Sequence, residues 1–370
     1  MLKFPFQDVG FNLRIESKID CVCFFLGSAI LVGACLAASS AARAQTAADI
    51  ATYSGPDRTQ KLIDGARKEG EVLLYSSAVV EDSDALAAAF QKKYGVAVKL
   101  WRASSEDILR RAVTEHRGGR DDVDVAETAG TEMEGLQREQ LLQPTASPVF
   151  ADLIPQAVAQ NRAWVMSRLS IFTAAYNTNV VKPADVPKSY DDLTNPKWRD
   201  KLGIEADDGN WLMAVADAMG QDALGEDKAL PLFRAIVAAN GMSVRKGHTL
   251  LANLVVAGEV PLALTAYNYR VAELKGKGAP IDGVVLPPAI ALPTGIAVFA
   301  HAPHPNAAAL FMDFFLSDDG QRILLARGNV PTNRTVQEPP PGLNFVDVAK
   351  YLDDGDKWTK LFKQTFAGGR

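Results

Sequence analysis

The stretch VLLYSSAVVEDSDALAAAFQKKYGVAVKLW, residues 72–101, decides the fold class. Residues 72–75 are a continuous apolar run, which is typical of a strand buried on both faces of a parallel sheet. Leu86, Phe90 and Tyr94 then recur at i, i+4 and i+8 and predict an amphipathic helix that ends before the following glycine. A second apolar run closes the stretch. Strand, helix and strand in this order predict a right-handed crossover between parallel strands.

The same alternation continues along the rest of the chain. A capped amphipathic segment begins at Ser104, a further strand is predicted at 123–126, and a second alternating region begins at Asn177. A chain of 370 residues is long enough for about two compact lobes. The pattern therefore predicts a two-lobed, layered α/β protein.

Composition excludes several classes of protein. The chain is 48% hydrophobic and 22% charged, with a net charge of -5 and three cysteines. It is too apolar for a disordered protein and too poor in cysteine for a disulfide scaffold. The net negative charge is also atypical of a nucleic-acid binder.

The first 44 residues have the features of an export signal. Residues 21–36 are almost wholly apolar, and Ala-Arg-Ala at 42–44 predicts signal-peptidase cleavage after Ala44. Two alternatives remain open: an uncleaved membrane anchor, and a lipoprotein acylated at Cys35 within the lipobox-like residues 32–35. Since all three cysteines precede the cleavage site, the mature chain would have no disulfide and no thiolate metal site.

Four loops at predicted strand ends carry polar side chains suited to ligand binding. They span residues 76–78, 127–130, 205–210 and 266–270. Ligands of α/β sheets bind at the carboxyl ends of strands, and the third loop opens a helix whose first amides could accept an anion. Ordinary turn and capping roles for these side chains remain the alternative.

The sequence contains no recognisable catalytic motif. Zinc-protease, nucleophile-elbow, phosphate-loop and dinucleotide-binding patterns are all absent. His301 and His304 lie in a proline-broken loop and are interpreted as a solvated turn. Asp121, Asp122 and Asp124 are interpreted as a solvated cluster at a sheet edge. We therefore predict no enzyme activity, no metal site and no cofactor.

Six stretches in a fixed order resemble one protein family. They are ARKEGEVLLYSS (66–77), ALAAAFQKKYGVAV (85–98), DVDVAE (122–127), AYNTNVVKPADVPKSYDDLTNPKWRDKLGI (175–204), AGEVPLALTAYNY (257–269) and FMDFFLSDDGQRILLARGNVPTN (311–333). On these stretches the mature chain resembles the extracellular solute-binding proteins of ABC importers, in the branch for iron(III) or related transport. The resemblance spans nearly the whole mature chain.

The resemblance implies a periplasmic binding protein fold, type II-like, with two discontinuous α/β lobes joined by hinge strands. By analogy, residues 45–175 and 285–332 would form the first lobe and residues 177–284 and 333–370 the second. The lobes would close over a ligand. The implied partners are a small anionic or polar solute and an ABC permease in the inner membrane. We expect a periplasmic monomer that binds no nucleic acid.

The resemblance also implies which ligands are expected. Ferric-binding members use a histidine after the first strand, a glutamate after the third, and two adjacent tyrosines. Here those positions fall near Val79, near Ala129, and at Tyr267 and Asn268. Because few of these metal ligands are present, we expect a small anionic or polar solute instead of a bare iron ion.

Two alternatives to this ligand class remain. One is a ferric-ion receptor using Tyr267, Tyr269 and either Glu127 or Glu132. The other is a secreted enzyme or a ligand sensor. Trp211 could stack on an organic ligand or belong to the core. The predicted ligand-binding residues are Ser76, Ser77, Thr128, Asp208, Asn210, Trp211, Arg245, Tyr267 and Tyr269.

Overall fold

The computed structural model describes residues 46–159, 161–220 and 225–366. The predicted signal peptide and its cleavage site lie outside the described residues. In the described part of the chain, no helix combines the length and apolar character needed to cross a membrane. The strands are β1 Glu71–Ser76, β2 Ala97–Arg102, β3 Val125–Ala129, β4 Val165–Asn177, β5 Leu202–Glu205, β6 Ser243–Arg245, β7 Leu262–Tyr267, β8 Ile281–Val284, β9 Ala289–Val298, β10 Val330–Pro331 and β11 Leu343–Phe345.

The α-helices alternate with these strands, and short 3-10 turns connect several of them. The helices are α1 Ala47–Thr52, α2 Arg58–Glu69, α3 Val80–Tyr94, α4 Ser105–Arg117, α5 Gly130–Arg138, α6 Gly209–Met219, α7 Gly225–Asn240, α8 His248–Ala257, α9 Asn268–Gly276, α10 Pro305–Leu316, α11 Asp318–Ala326 and α12 Val348–Phe366.

The first half-sheet has the order β2-β1-β3-β9-β4. β1 pairs in parallel with both β2 and β3, so the predicted β-α-β-α-β order is confirmed. The helix expected between β1 and β2 ends at Gly95, whose φ of 78° is left-handed and suits a residue without Cβ. Ser104 caps α4 as expected, because its hydroxyl accepts the Asp107 N–H at 3.2 Å.

The second half-sheet has the order β4-β7-β5-β6, with β8 paired to β4. β5 is parallel to β6 and β7, and β4 is antiparallel to β7. The long strands β4 and β9 are antiparallel neighbours, so they continue the hydrogen bonding of one half-sheet into the other. The lobe boundaries expected from the resemblance stay a prediction.

The histidine–aspartate arrangement near β3 corrects two sequence interpretations. Asp124 is completely buried, and its carboxylate accepts hydrogen bonds from the N–H groups of Leu73, at 2.7 Å, and His304, at 2.7 Å. The His304 ring nitrogen Nδ1 lies 2.9 Å from the same carboxylate. Asp124 is therefore not solvated, and His304 is not a free turn residue. Local sequence patterns do not predict this contact because the two residues are distant in sequence.

Candidate ligand-binding site

The carboxyl ends of β1 and β3 meet at one edge of the first half-sheet. Ser76 and Glu127 are paired across these parallel strands. The Ser76 hydroxyl donates to Glu127 Oε2 at 2.7 Å and accepts the Ala78 N–H at 3.1 Å. With only 1% of Ser76 exposed, its hydroxyl serves the internal structure of this edge.

An ion-pair network, the arginine cluster, extends from Glu127 into β4. Arg168 Nη2 lies 2.8 Å from Glu127 Oε1, and Arg168 Nη1 donates to Asn329 at 2.9 Å. Asp82, at the start of α3, lies 3.7 Å from Arg168 and also pairs with Arg327. Two carboxylates therefore face two guanidinium groups. The charges of this edge balance within the protein.

The second half-sheet carries a different group at its edge, the carboxylate–histidine cluster of Glu205, Asp208 and His248. One donor atom from each residue lies within 4.8 Å of the others. His248 Nε2 is 3.3 Å from Asp208 Oδ1, while His248 Nδ1 donates to the Thr265 carbonyl at 3.0 Å. The Thr265 bond orients the ring so that Nε2 faces the two carboxylates.

Burial and mutual repulsion govern the ionisation of this cluster. Burial raises the pKa of Glu205, and the neighbouring Asp208 charge raises it further. For His248, burial opposes the charged form, but Asp208 and Glu205 outweigh burial and raise the pKa of the imidazole. The cluster is thus a site of negative potential in which positive charge is stabilised.

Two tyrosines connect the edges of the half-sheets. Tyr267 ends β7 and Tyr269 lies in the first turn of α9, with ring centroids 5.7 Å apart. The Tyr267 ring also lies 4.1 Å from the His248 ring. Burial raises the pKa of Tyr267, and the charge of Asp208 raises it further. Burial also raises the pKa of Tyr269, which interacts electrostatically with Arg168. Neither hydroxyl has a hydrogen-bond partner among the described residues.

A cavity of about 540 Å³ opens beside Tyr269. It lies between the start of α3, α9 and the end of α11, and Tyr269, Asp82 and Arg327 belong to its lining. Glu273 of α9 and Lys277, which follows the helix, also line it. Tyr269 therefore contacts both this cavity and the region between the two clusters.

Three of the predicted residues have their side chains in the core, in a local hydrogen bond or at the surface. Trp211 is fully buried, and its ring packs at 5.0 Å from that of Phe233 in the core. The Asn210 side chain accepts the Trp211 N–H at 2.6 Å, so the amide expected to receive an anion already has a partner. Arg245 is exposed and donates to the Val244 carbonyl at 3.0 Å.

The other predicted residues lie at the two edges. Ser77 is half-buried, and its N–H donates to the Glu127 carbonyl at 3.0 Å. Thr128 is completely buried, and its hydroxyl has no partner in the described part of the chain. Asp208 and Tyr267 contact His248, and Tyr269 stacks on Tyr267, as described above.

Sequence reasoning missed Arg168, Glu205 and His248 as site residues. Arg168 is an isolated arginine in a long apolar strand, and His248 is separated from Asp208 by two helices and a strand. A usable signal existed only for Glu205, which is the last residue of β5 and so lies at a carboxyl edge.

Residues 85–350 match the family of bacterial extracellular solute-binding proteins. The chain belongs to this family. The predicted family, ABC-importer solute binding and the two-lobe binding-protein fold are therefore confirmed.

Two curated relatives are named for iron. The chain is 25% identical over 300 residues to iron uptake protein A1 of Synechocystis sp., covering 74% of this chain and 81% of that protein. It is also 25% identical over 273 residues to the major ferric iron-binding protein of Neisseria meningitidis serogroup B, covering 71% and 81%. The names of the two relatives describe iron uptake and ferric iron binding.

A solved structure supports the fold assignment. The periplasmic binding protein AfuA of Actinobacillus pleuropneumoniae, solved with bound fructose-6-phosphate, aligns with a TM-score of 0.66 and 21% identity. The alignment covers 81% of this chain and 99% of AfuA. At this identity the likeness establishes the shared fold.

Proposed function

We propose that this solute-binding protein is the periplasmic receptor of an ABC importer. Once the signal peptide is cleaved after Ala44, the protein would act as a monomer that binds a small polar solute and delivers it to an inner-membrane permease. The proposed lobes, 45–175 with 285–332 and 177–284 with 333–370, would close over that solute. Family membership supports receptor function.

The position of the paired tyrosines carries the proposal for the binding site. Tyr267 interacts with the carboxylate–histidine cluster, and Tyr269 interacts with the arginine cluster. A solute bound at their hydroxyls would therefore contact groups from both half-sheets. Polar groups that lack an internal partner are the groups that a ligand can satisfy without displacing existing bonds.

The charge around the tyrosines constrains the solute. The arginine cluster is internally neutral, whereas Glu205 and Asp208 make the other edge negative. A purely anionic solute would be repelled by that second edge. The arrangement supports a polar solute with hydroxyl, amine or cation-associated groups, within the wider class of small anionic or polar solutes.

A ferric ion is the second candidate, because curated relatives are named for iron and two tyrosines lie side by side. Phenolate oxygens are hard donors suited to Fe(III). Glu127 already pairs with Arg168 and accepts a hydrogen bond from Ser76. Of the two candidate carboxylates, Glu132 is therefore the one better placed to bind the ion. Glu132 acts electrostatically on Tyr267, which supports its inclusion.

A thermal-shift experiment on the mature chain tests both candidates. The panel contains Fe(III), phosphate, phosphonates, carboxylates, amino acids and polyols. A solute at a hundred times its Kd should stabilise the protein by ~2.7 kcal/mol. We expect Tyr267→Phe to abolish the shift and Tyr176→Phe, a half-buried tyrosine in β4, to retain it.

The outcomes separate the candidates. A shift with an organic solute supports the receptor proposal, and a shift with iron alone, accompanied by a visible phenolate-to-iron absorption band, supports the ferric proposal. A shift that survives in Tyr267→Phe would contradict the proposed site. If no member of the panel shifts the unfolding temperature, the proposed solute class is contradicted.

A further inference from the structure

Asp208 presents a buried carboxylate oxygen with no internal donor. Only 3% of Asp208 is exposed, and its Oδ2 has no hydrogen-bond partner among the described residues. A buried, unpaired carboxylate oxygen is costly unless a positive group satisfies it. The neighbouring Asp207 is exposed and pairs with Lys246 at 3.3 Å, so that lysine does not supply the charge.

The histidine is held in the orientation of a metal ligand. Its Nδ1 donates to the Thr265 carbonyl at 3.0 Å, which leaves Nε2 facing Asp208 Oδ1, 3.3 Å away. Metal-binding histidines are commonly oriented by such a bond to a backbone carbonyl. When the ring is neutral, Nε2 and Asp208 Oδ1 are two acceptors that face each other, and a proton on Nε2 or a metal ion between them removes the repulsion.

Glu205 is fixed by backbone amides on both oxygens. Oε1 accepts the Gly247 N–H at 2.8 Å, and Oε2 accepts the Asp207 N–H at 2.5 Å. Each carboxylate oxygen has a second lone pair, so these bonds orient the group without exhausting it. Gly247 has a φ of 105°, a conformation that favours glycine, and this turn brings His248 beside Glu205.

We propose that Glu205, Asp208 and His248 form a binding site for a divalent transition-metal ion of the Zn²⁺ class. Donor atoms about 2.0–2.2 Å from a tetrahedral ion lie roughly 3.3–3.6 Å apart. The Asp208–His248 separation of 3.3 Å already meets that spacing, and the third donor lies within 4.8 Å. Closing the remaining distance requires a shift of Glu205 together with the Asp207 and Gly247 amides that donate to it.

The donor set selects the kind of ion. One imidazole and two carboxylates suit Zn²⁺, Co²⁺, Ni²⁺ or Fe²⁺, whereas Ca²⁺ and Mg²⁺ prefer shells made of oxygen. Three protein ligands leave a coordination position open. With the Tyr267 ring 4.1 Å from the His248 ring, that position would lie beside the tyrosine pair.

This site does not depend on the identity of the transported solute. It differs from the ferric candidate, which uses Tyr267, Tyr269 and Glu132. If a metal ion occupies the cluster, its positive charge would offset the charges of Glu205 and Asp208, which otherwise repel an anionic solute. A solute carboxylate or phosphate could then take the open position.

Titration of the metal-free mature protein with Zn²⁺ and Co²⁺ tests the site. We expect one ion per chain by calorimetry, and a visible Co²⁺ spectrum of low-symmetry, four-coordinate type. Asp208→Asn and His248→Gln should each weaken binding at least 100-fold. His116→Gln is the matched control, because His116 also lies beside a carboxylate, Asp121 at 2.8 Å, but at the surface.

A second measurement needs no substitution in the cluster. Carbethoxylation of histidines, read by mass spectrometry, should be blocked by Zn²⁺ at His248 and unchanged at His116. Equal modification of His248 with and without Zn²⁺ would show that a proton, in a simple His248–Asp208 ion pair, satisfies the cluster. That result, or binding retained in His248→Gln, would overturn the proposal.

Discussion

Removing the buried charge of Arg168 should destabilise the protein far more than removing an exposed lysine. Arg168→Met keeps most of the side-chain stem but leaves Glu127 without its ion-pair partner at 2.8 Å. The two side chains are 7% and 1% exposed, so water cannot replace the lost guanidinium. Breaking a buried pair from one side costs about 3–5 kcal/mol, and Asp82 at 3.7 Å loses a neighbour as well.

The matched control is Lys93→Met. Lys93 pairs with Asp319 at 2.7 Å, almost the same distance, but the side chains are 46% and 60% exposed. Exposed pairs contribute about 0–1 kcal/mol. The comparison therefore varies burial while holding the contact distance nearly constant.

Urea unfolding of the mature protein, followed by circular dichroism, measures both variants. We expect the free energy of unfolding to fall by at least 2 kcal/mol more for Arg168→Met than for Lys93→Met, with unchanged m-values. Adding Glu127→Gln to Arg168→Met should restore part of the loss, because the unpaired charge is then removed. A loss below about 1 kcal/mol for Arg168→Met would refute the assignment of the arginine cluster as a buried, charge-balanced network.

Two further predictions concern other parts of the site. Burial raises the pKa of Glu132 from 4.5 to about 7, so the native state binds more protons than the unfolded state between these pH values. Its contribution to stability should therefore fall as pH rises from about 4.5 to 7, and Glu132→Gln should flatten that slope in unfolding experiments; an unchanged slope would contradict it. Trp211→Ala should lower the free energy of unfolding by ~3–5 kcal/mol because it leaves a core cavity. Trp211→Phe should retain solute affinity, whereas a large affinity loss in that folded variant would indicate that the ring contacts ligand.

Periodic features of the fold could be predicted without the structure. The Leu86, Phe90 and Tyr94 spacing reflects one buried helix face, and all three residues are buried in α3. Phe311 and Phe314 of α10 likewise recur at a helical spacing, and both rings pack within 5.6 Å of Phe90. Local patterns succeed here because burial on one face imposes a repeat on the sequence.

Contacts between distant segments could not be predicted in this way. His304 is oriented by Asp124, and Arg168 by Glu127, although no spacing rule links either pair. The first turn of α6 also depends on side-chain placement. The Asn210 side chain accepts the Trp211 N–H, and this contact depends on a rotamer that the sequence does not specify.

The sequence by itself determined the α/β class, the order of β1 to β3, the strand-end position of the polar loops and the family. These follow from hydrophobic periodicity and from ordered matching stretches, both of which are local properties of the chain. Only the tertiary structure decided that Asp208 and His248 meet, that Trp211 belongs to the core, and that Tyr267 and Tyr269 connect the two half-sheets. Such contacts depend on strand pairing, which brings residues far apart in sequence close together. Neighbouring charges then shift each other's pKa.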